Sequence, residues 1–420
     1  MLLRPLIGIL TYIIMHHRLT TQLLFASSSS SAASFFAYAF APTLSISSGR
    51  PLSTNIIIMS SSTTTAADKS KLQYIDAGAN LLDSMYQGVY HGKERHEPDL
   101  DIILARAYEN GVNRIISMAG TPKECEETLQ LIEKLDKEHN SDDNERVKVF
   151  GTVGVHPTRC AEVFAESCPS SGGDDDEETK MWKPKTEAEQ TLIISQMIKL
   201  INQGKTSGNV VAVGEFGLDY ARLHFCPKDI QQLGFRKQLE MATETKLPLY
   251  LHNRDSGDDL YDILLEYRDA LVASQGGEDG NIRGIVHSFD ESAEVATKLM
   301  SLGLHIGING CSLKTPENLE TAAQIPLDKL ILETDCPWCD IRPTHAGFQH
   351  LQTTFPTKKE KQYNRELAKD FCVKNRTEPC HVAQVAEVIA GVKGLDVADV
   401  VAASNRNVHR VFGDLEKIEV

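Results

Sequence analysis

The sequence has no surplus of positive charge. Its 58 Asp and Glu residues outnumber its 43 Lys and Arg residues, which gives a formal net charge of −15 at pH 7. Broad electrostatic binding to nucleic acid depends on Lys and Arg displacing counterions, so this acidity argues against a protein that coats DNA or RNA. It leaves room for an enzyme that holds a few phosphates through metal ions and one or two arginines.

The sequence also lacks a disulfide framework, because its 9 cysteines are odd in number and irregularly spaced. This cysteine usage suits a reducing compartment. Only Cys336 and Cys339 have the spacing of a redox pair, and they follow Glu333-Thr334-Asp335 late in the chain. A thioredoxin-type motif opens a helix after an early strand, so we interpret the pair as two loop thiols.

The first 70 residues contain no apolar run long enough for a membrane span and a single acidic residue, Asp68. The apolar stretch Leu2–Met15 covers about 14 residues, whereas a membrane span needs roughly 20. No acid precedes Asp68, and the segment is rich in Ser with scattered Arg, which is typical of a transit peptide. The hexapeptide Ala37–Pro42 is similar to the cleavage motif of two-part plastid presequences.

We therefore exclude residues 1–70 from the fold and interpret them as a targeting segment. If translation starts at Met1, we expect an organelle-targeted precursor, bound for a plastid or a mitochondrion. If it starts at Met59, we expect a protein of the cytoplasm or the nucleus. In neither case do we expect stable membrane association.

From residue 71 to residue 420 the chain alternates short apolar runs with longer helical stretches, which is typical of repeated βα units and a parallel sheet. Eight strands over roughly 260 residues match a (β/α)₈ TIM barrel in number and length. The sequence therefore predicts an α/β fold of this type, with a doubly wound sheet as the alternative. The candidate strands are Gln73–Ala77, Arg114–Ala119, Val147–Val153, Val210–Glu215, Pro248–His252, Arg283–His287, Leu304–Ile308 and Leu330–Thr334.

Three further segments complete the predicted domain. Leu100–Asn110 has the spacing of an amphipathic helix. Residues 166–189 contain five consecutive acids and interrupt the βα rhythm, so we expect an exposed insertion after the third strand. Two helices, Val382–Val392 and Val397–Phe412, are expected to lie over the outside of the barrel.

Four polar side chains stand at or just past the ends of predicted strands: Glu215, His252, His287 and Asp335. The carboxyl ends of barrel strands meet at one face, where barrel active sites lie, so these side chains are expected to share one pocket. Each alone is more simply explained as a loop cap or a solvated charge. Their common position at strand ends favours a site.

Carboxylates and imidazoles in one pocket suit divalent cations such as Mg²⁺, Mn²⁺ or Zn²⁺. Hydrolysis of a phosphodiester needs a hydroxide nucleophile and neutralisation of charge on the phosphoryl oxygens, and one or two such cations supply both. Glu215 is the best candidate to bridge two cations, since a carboxylate has two oxygens and neighbouring glycines leave space for close approach.

The motifs around these residues resemble those of the TatD family of metal-dependent deoxyribonucleases, in particular its eukaryotic branch. The resemblance covers about residues 74–413. The matching stretches are Val211–Asp219, Gly154–Pro157, Leu251–Arg254, Val286–Phe289, Leu332–Asp335 and Glu378–His381, and longer matches include His156–Cys160, Phe225–Asp229 and Asn309–Thr315.

The resemblance implies a DNA substrate, exonuclease action and two divalent cations, of which Mg²⁺ is the first expectation. It makes Glu215 the bridging ligand, His252 and His287 ligands of one cation, and Asp335 a ligand of the other that also orients or deprotonates the attacking water. It assigns His156 and Arg254 to substrate phosphate, where the planar guanidinium makes a two-point contact.

One departure from the family pattern concerns the first strand. Many relatives have D-x-H-x-H there, whereas this chain has Asp76-Ala77-Gly78-Ala79-Asn80. The first metal site is therefore expected to be poor in ligands.

The main alternative function is an amidohydrolase-like enzyme acting on a small cyclic amide or lactone. A non-catalytic or redox protein on the same barrel is the third hypothesis, and the intact Glu215, His252, His287 and Asp335 argue against it.

Overall fold

Eight short apolar segments form one parallel sheet in the computed structural model, which describes residues 72–138, 146–168, 181–276 and 280–415. Each strand pairs with the next one along the chain, so the order in the sheet is the order in the sequence. The strands are β1 (Tyr74–Ala79), β2 (Val112–Ser117), β3 (Lys148–Val153), β4 (Val210–Asp219), β5 (Leu249–Arg254), β6 (Gly284–His287), β7 (His305–Ile308) and β8 (Leu330–Leu332).

The first and last strands approach each other and bring the sheet close to a closed barrel. A single parallel bridge joins Ala79 to Cys336 just after β8. Beside it, the carboxylate of Asp76 accepts hydrogen bonds from the backbone N–H of Thr334 at 2.8 Å and from its hydroxyl at 2.7 Å. The predicted (β/α)₈ barrel is confirmed, because a doubly wound sheet would reverse its strand order.

Helices connect the strands and cover the outside of the barrel. They are α1 (Leu100–Glu109), α2 (Pro122–Glu138), α3 (Cys160–Phe164), α4 (Glu187–Thr206), α5 (Lys228–Thr245), α6 (Asp259–Gln275), α7 (Ala293–Ser301), α8 (Pro316–Gln324), α9 (Val382–Lys393) and α10 (Val397–Phe412). The helix predicted at Leu100–Asn110 buries Ile103 and Ala107, as its spacing requires. No helix of the described residues is long and apolar enough to cross a membrane.

The end of α10 corrects one expectation, because it does not lie only over the outside of the barrel. Side chains from its last turns join the cluster that fills the barrel interior together with alternate residues of the strands. Arg283, at the start of β6, donates a hydrogen bond to the carbonyl of Val411 at 3.0 Å. The helix therefore covers the amino ends of the strands, opposite the face where the site lies. The shared cluster contains Ile75, Ile116, Phe150, Val211, Tyr250, Ile285, Ile331, Val408, Val411, Phe412 and Leu415.

The acidic segment predicted at 166–189 has two described ends. Ala165–Cys168 and Met181–Pro184 pair as a short antiparallel hairpin. Helix α4 then begins with a capping box in which Thr186 and Glu189 satisfy each other's backbone N–H groups. The run of five acids lies outside the described residues, and so do residues 1–71 with the predicted targeting segment.

Candidate metal centre and catalytic pocket

The carboxyl ends of the barrel strands open onto a cavity of about 470 Å³. All the side chains that the sequence assigned to the site line it, namely His156, Glu215, His252, Arg254, His287 and Asp335. Two other cavities of the described residues are larger, at about 630 and 710 Å³, but contain none of these six. We locate the site by this chemistry and not by cavity size.

Glu215 is the centre of the cluster. Strand β4 passes so close to β5 that a Cβ atom on Gly217 would lie 2.0 Å from the carbonyl oxygen of His252, and glycine alone permits this approach. Oε1 of Glu215 lies 2.6 Å from Nε2 of His287 and 2.8 Å from Nδ1 of His252. These two nitrogens are 3.4 Å apart. Two ligands about 2.1 Å from one tetrahedral cation are separated by roughly this distance, so the donor set fits a metal ion.

Two buried carboxylates lie behind the histidines, beside the ring nitrogens that face away from this centre. Asp219 Oδ2 lies 3.4 Å from Nε2 of His252, and Glu333 Oε1 lies 3.6 Å from Nδ1 of His287. With a cation bound, each carboxylate would accept the proton of the nitrogen that it faces, and the opposite nitrogen of each ring would be the metal ligand. Carboxylate, histidine and metal in series is the usual arrangement behind metal-binding imidazoles.

His156 differs from this pattern although it lies in the same cluster. Its Nδ1 accepts a hydrogen bond from the backbone N–H of Thr158 at 3.2 Å, which assigns the proton of the neutral ring to Nε2. Burial lowers the pKa of His156 to about 3, so the ring is neutral near pH 7. Nε2 lies 3.5 Å from Glu215 Oε1 and faces the site as a donor. This geometry suits a contact with a phosphate oxygen better than a metal bond.

The electrostatic field around Glu215 and the two histidines favours positive charge. Burial opposes the charged form of His287, but the carboxylates of Glu215 and Glu333 raise its pKa well above its usual value. Burial likewise opposes the charge of Glu215, yet His287 and His156 hold its pKa well below its usual range. A site that stabilises cationic imidazoles against an ionised carboxylate is also one that attracts a divalent cation.

Asp335 stands at the opposite side of the cavity, in a backbone conformation with φ of 54° that non-glycine residues seldom adopt. Its Oδ1 accepts a hydrogen bond from Nδ2 of Asn80 at 2.9 Å. Burial raises the pKa of Asp335 to about 6. Cys339 lies beside it, with Sγ 3.4 Å from Oδ2, whereas Cys336 is buried at the barrel seam.

On the first strand, the space beside Gly78 is filled by side chains from other strands of the barrel. A Cβ atom on Gly78 would lie 2.4 Å from the hydroxyl of Tyr250 and 2.8 Å from Oε2 of Glu333. Tyr250 donates a hydrogen bond to that carboxylate at 3.0 Å and lies fully buried. The space beside Gly78 is therefore occupied by a buried, hydrogen-bonded pair of side chains.

The cavity residues that sequence reasoning did not assign to the site include Arg222, Lys314 and Trp338. These three follow the ends of barrel strands, after β4, β7 and β8, so the rule that located the ligands could have located them too. Arg254, which the sequence did predict, makes no hydrogen bond or ion pair with another described residue. Its guanidinium is therefore available to a phosphate.

The motif Glu378–His381 belongs to the frame of the barrel and does not line the cavity. Glu378 is fully buried and pairs with Arg376 at 3.0 Å and with Arg106 of α1. Arg376 also pairs with Asp99 at 2.6 Å. This network of four charges ties α1 to the segment before α9.

Fold and site together define a metal-dependent hydrolase of the (β/α)₈ type. The family model described as TatD related DNase matches residues 75–413. The chain belongs to this family and is a metal-dependent hydrolase of the deoxyribonuclease class, as its motifs predicted.

Individual relatives agree with the family match. The protein named Deoxyribonuclease Tat-D from Schizosaccharomyces pombe is 38% identical over 329 residues, which cover 78% of this chain and 92% of that protein. The crystal structure of a hydrolase TatD family protein from Entamoeba histolytica is 31% identical, with a TM-score of 0.67, and the match covers 82% of this chain and 99% of that one. A more distant relative from Shigella flexneri, named 3'-5' ssDNA/RNA exonuclease TatD, is 25% identical over 344 residues, covering 80% and 98%.

Proposed function

We propose that this enzyme removes nucleotides from an end of single-stranded DNA, using two divalent cations, with Mg²⁺ as the first candidate. The observation that carries the proposal is the convergence of Glu215 Oε1 with Nδ1 of His252 and Nε2 of His287 at 2.6 to 2.8 Å. The name of the Shigella flexneri relative supports an exonuclease acting on single strands. A cavity of about 470 Å³ suits a strand end better than a duplex.

Glu215, His252 and His287 would hold one cation. Asp335 with the second oxygen of Glu215 would hold the other, at the site that lacks the first-strand histidines. Bound divalent cations supply a hydroxide nucleophile near neutral pH and neutralise charge on the phosphoryl oxygens. Asp335 would orient the attacking water and take its proton.

His156 and Arg254 would hold the phosphate. The Nε2–H of His156 donates to one non-bridging oxygen, while Arg254 offers two parallel N–H groups to others. Lys314 and Arg222 add positive charge around the same cavity. These few cations act locally, which reconciles phosphate binding with a net charge of −15.

We also propose that residues 1–70 direct the precursor to a plastid or a mitochondrion, whereas synthesis from Met59 would leave the enzyme in the cytoplasm or nucleus. The composition of the segment supports this, since it has Ser and Arg and no acid before Asp68.

The amidohydrolase alternative is disfavoured by the first strand. Such enzymes rely on a pair of first-strand histidines, and the space beside Gly78 is taken by Tyr250 and Glu333. The deoxyribonuclease family match points the same way.

The test is digestion of 5′- and 3′-labelled DNA, single- and double-stranded, with Mg²⁺ and an RNA control. We expect single-stranded DNA to be shortened stepwise from one end, and Glu215→Gln to be inactive in a preparation with unchanged thermal unfolding. Internal cuts of circular single strands would contradict the exonuclease assignment. Turnover of cyclic amides without digestion of any nucleic acid would contradict the proposed function.

A further inference from the structure

Trp338 lies at the cavity that holds Glu215 and Asp335, and its relative exposure is 51%. Burial of so large an apolar ring would stabilise the fold, and the molecule leaves it in contact with solvent. The chain contains 2 tryptophans. The other, Trp182, lies on the hairpin near α4 and packs against the core. A large exposed aromatic ring in a polar catalytic cavity indicates contact with a ligand.

The backbone holds Trp338 in a defined position relative to the candidate metal ligand. Its N–H donates a hydrogen bond to the carbonyl of Asp335 at 3.0 Å. The preceding residue, Pro337, accepts a hydrogen bond from the N–H of Thr377 at 3.0 Å. Within the described part of the chain, the indole makes no ring contact and no hydrogen bond. The exposed indole is therefore accessible to a flat ligand in the cavity that also contains Asp335.

The cavity offers a nucleotide two kinds of contact, which are positive charges for its phosphate and an aromatic ring for its base. Arg222, Arg254 and Lys314 supply the positive charge that phosphates require. None of them offers a flat apolar surface of indole size, and Trp338 does. Stacking of a base on an aromatic ring does not depend on charge, so it adds affinity for nucleic acid to a protein with a net charge of −15.

We propose that Trp338 is the stacking platform for the nucleobase next to the scissile phosphate, and that it makes the site selective for single-stranded ends. The proposal rests on the proposed function of the same cavity. Bases inside a duplex stack on one another, so their faces are covered. At a single-stranded end, the face of a base can stack on the indole without the breaking or unstacking of any base pair.

The first experiment compares two single-stranded DNA substrates of equal length. One carries ordinary thymines, and the other has abasic residues at the two end positions. We expect the unmodified enzyme to prefer the first by roughly 5- to 140-fold in kcat/KM, the range that one stacked base contributes. Trp338→Ala should lower kcat/KM on the thymine strand to the value for the abasic strand, while Trp338→Phe should keep part of the preference. Trp182→Phe is the matched control and should keep all of it.

Two results would overturn the proposal. One is an equal loss on both strands in Trp338→Ala, which would give the residue a structural role. The other is an unmodified enzyme that does not distinguish the strands.

A binding measurement separates this proposal from the proposed function. In Trp182→Phe protein, Trp338 is the sole tryptophan, and phosphorothioate-linked oligothymidylate should quench its fluorescence more than an abasic strand does. If the unmodified enzyme cleaves neither strand, the proposed function fails, and quenching still decides the stacking proposal. Equal quenching by both strands, or none, would refute it.

Discussion

The hydroxyl of Tyr250 donates a hydrogen bond to Oε2 of Glu333 at 3.0 Å, directly over Gly78. The same hydroxyl lies 2.9 Å from the carbonyl oxygen of Ala77, so its single proton is shared between two acceptors and the ring is held from two sides. A side chain at position 78 would displace this pair. The absence of first-strand histidines is therefore built into the packing of the barrel interior.

This arrangement predicts two unequal metal sites. In titration calorimetry with Mg²⁺ or Mn²⁺, we expect one ion to bind well, through Glu215, His252 and His287, and a second to bind weakly until substrate oxygens are present. Activity should continue to rise after the first site is full. A phosphorothioate strand should tighten the second site. Two equally tight sites without a strand would show that a ligand has been overlooked.

Histidine replacements test the same arrangement. Gly78→His should unfold more easily than the unmodified protein, because its Cβ meets Tyr250 at 2.4 Å. Asn80→His, which leaves Gly78 in place, should keep the fold and lower the metal concentration needed for activity. Thermal unfolding and metal titration of the two variants would check this. Equal stability of both would argue against the role given to Tyr250.

Glu215→Ala should remove binding at both metal sites, whereas His252→Ala should weaken only one. We expect Glu215→Ala to keep less than about a tenth of the activity, a loss of more than about 1.4 kcal/mol of transition-state stabilisation. Glu294→Ala, an exposed carboxylate on α7, is the control and should change neither metal content nor rate. If Glu215→Ala retained one metal site at full affinity, Glu215 would not bridge.

Arg254→Lys should keep its charge and lose its planar two-point contact with phosphate. We expect kcat/KM to fall by roughly 10- to 100-fold, in line with about 1.4–3 kcal/mol for a charged hydrogen-bonded contact, while metal content stays normal. Arg236→Lys, at a surface pair with Glu266, is the matched control. A parallel fall in metal content would instead give Arg254 a part in holding the centre.

Asp76 should make stability depend on pH. Burial raises the pKa of Asp76 to about 8, although Thr334 and Gly78 donate hydrogen bonds to it. The unfolded chain releases this proton near pH 4, so between about pH 4 and pH 8 the folded state binds more protons. The free energy of unfolding contributed by this group therefore falls as pH rises, by up to about 1.4 kcal/mol per pH unit, and levels off above pH 8.

Asp76→Asn keeps a carbonyl for the backbone N–H of Thr334 and removes the titration. Denaturant unfolding with a chelator present should show the variant gaining stability over the unmodified protein as pH rises from 5 to 8. The other carboxylates of the site titrate in both proteins, so they cancel in the comparison. Identical pH dependence in the two proteins would mean that Asp76 is ionised throughout.

The barrel strands were predictable because parallel strands buried on both faces appear as apolar runs. The strand-end rule also brought Glu215, His252, His287 and Asp335 into one pocket, where the structure places them, while their individual roles stay predictions. The rule did not reveal the carboxylates behind the histidines, since contacts between Asp219 and His252 depend on strand register. Strand β4 continues to Asp219, four residues beyond its predicted end at Glu215, because its last residues pair with β5.

The two faces of α10 could not be assigned from its pattern either. An amphipathic helix has an apolar stripe whether it packs on the outside of a barrel or across one end. Likewise, the sequence does not reveal the structural roles of Asp76 and Tyr250. These roles depend on contacts that only the fold shows, of Asp76 with Thr334 and of Tyr250 with Glu333.

The position of α10 affects how the enzyme is made. Strand β8 ends at Leu332, yet the interior of the barrel is incomplete until Val408, Val411 and Phe412 cover the amino ends of the strands. During synthesis these residues emerge from the ribosome after every strand has done so. The nascent chain therefore carries eight strands whose lower apolar layer is open to solvent until α10 has been made and packs against it. During that interval the chain exposes apolar surface that chaperones and proteases recognise.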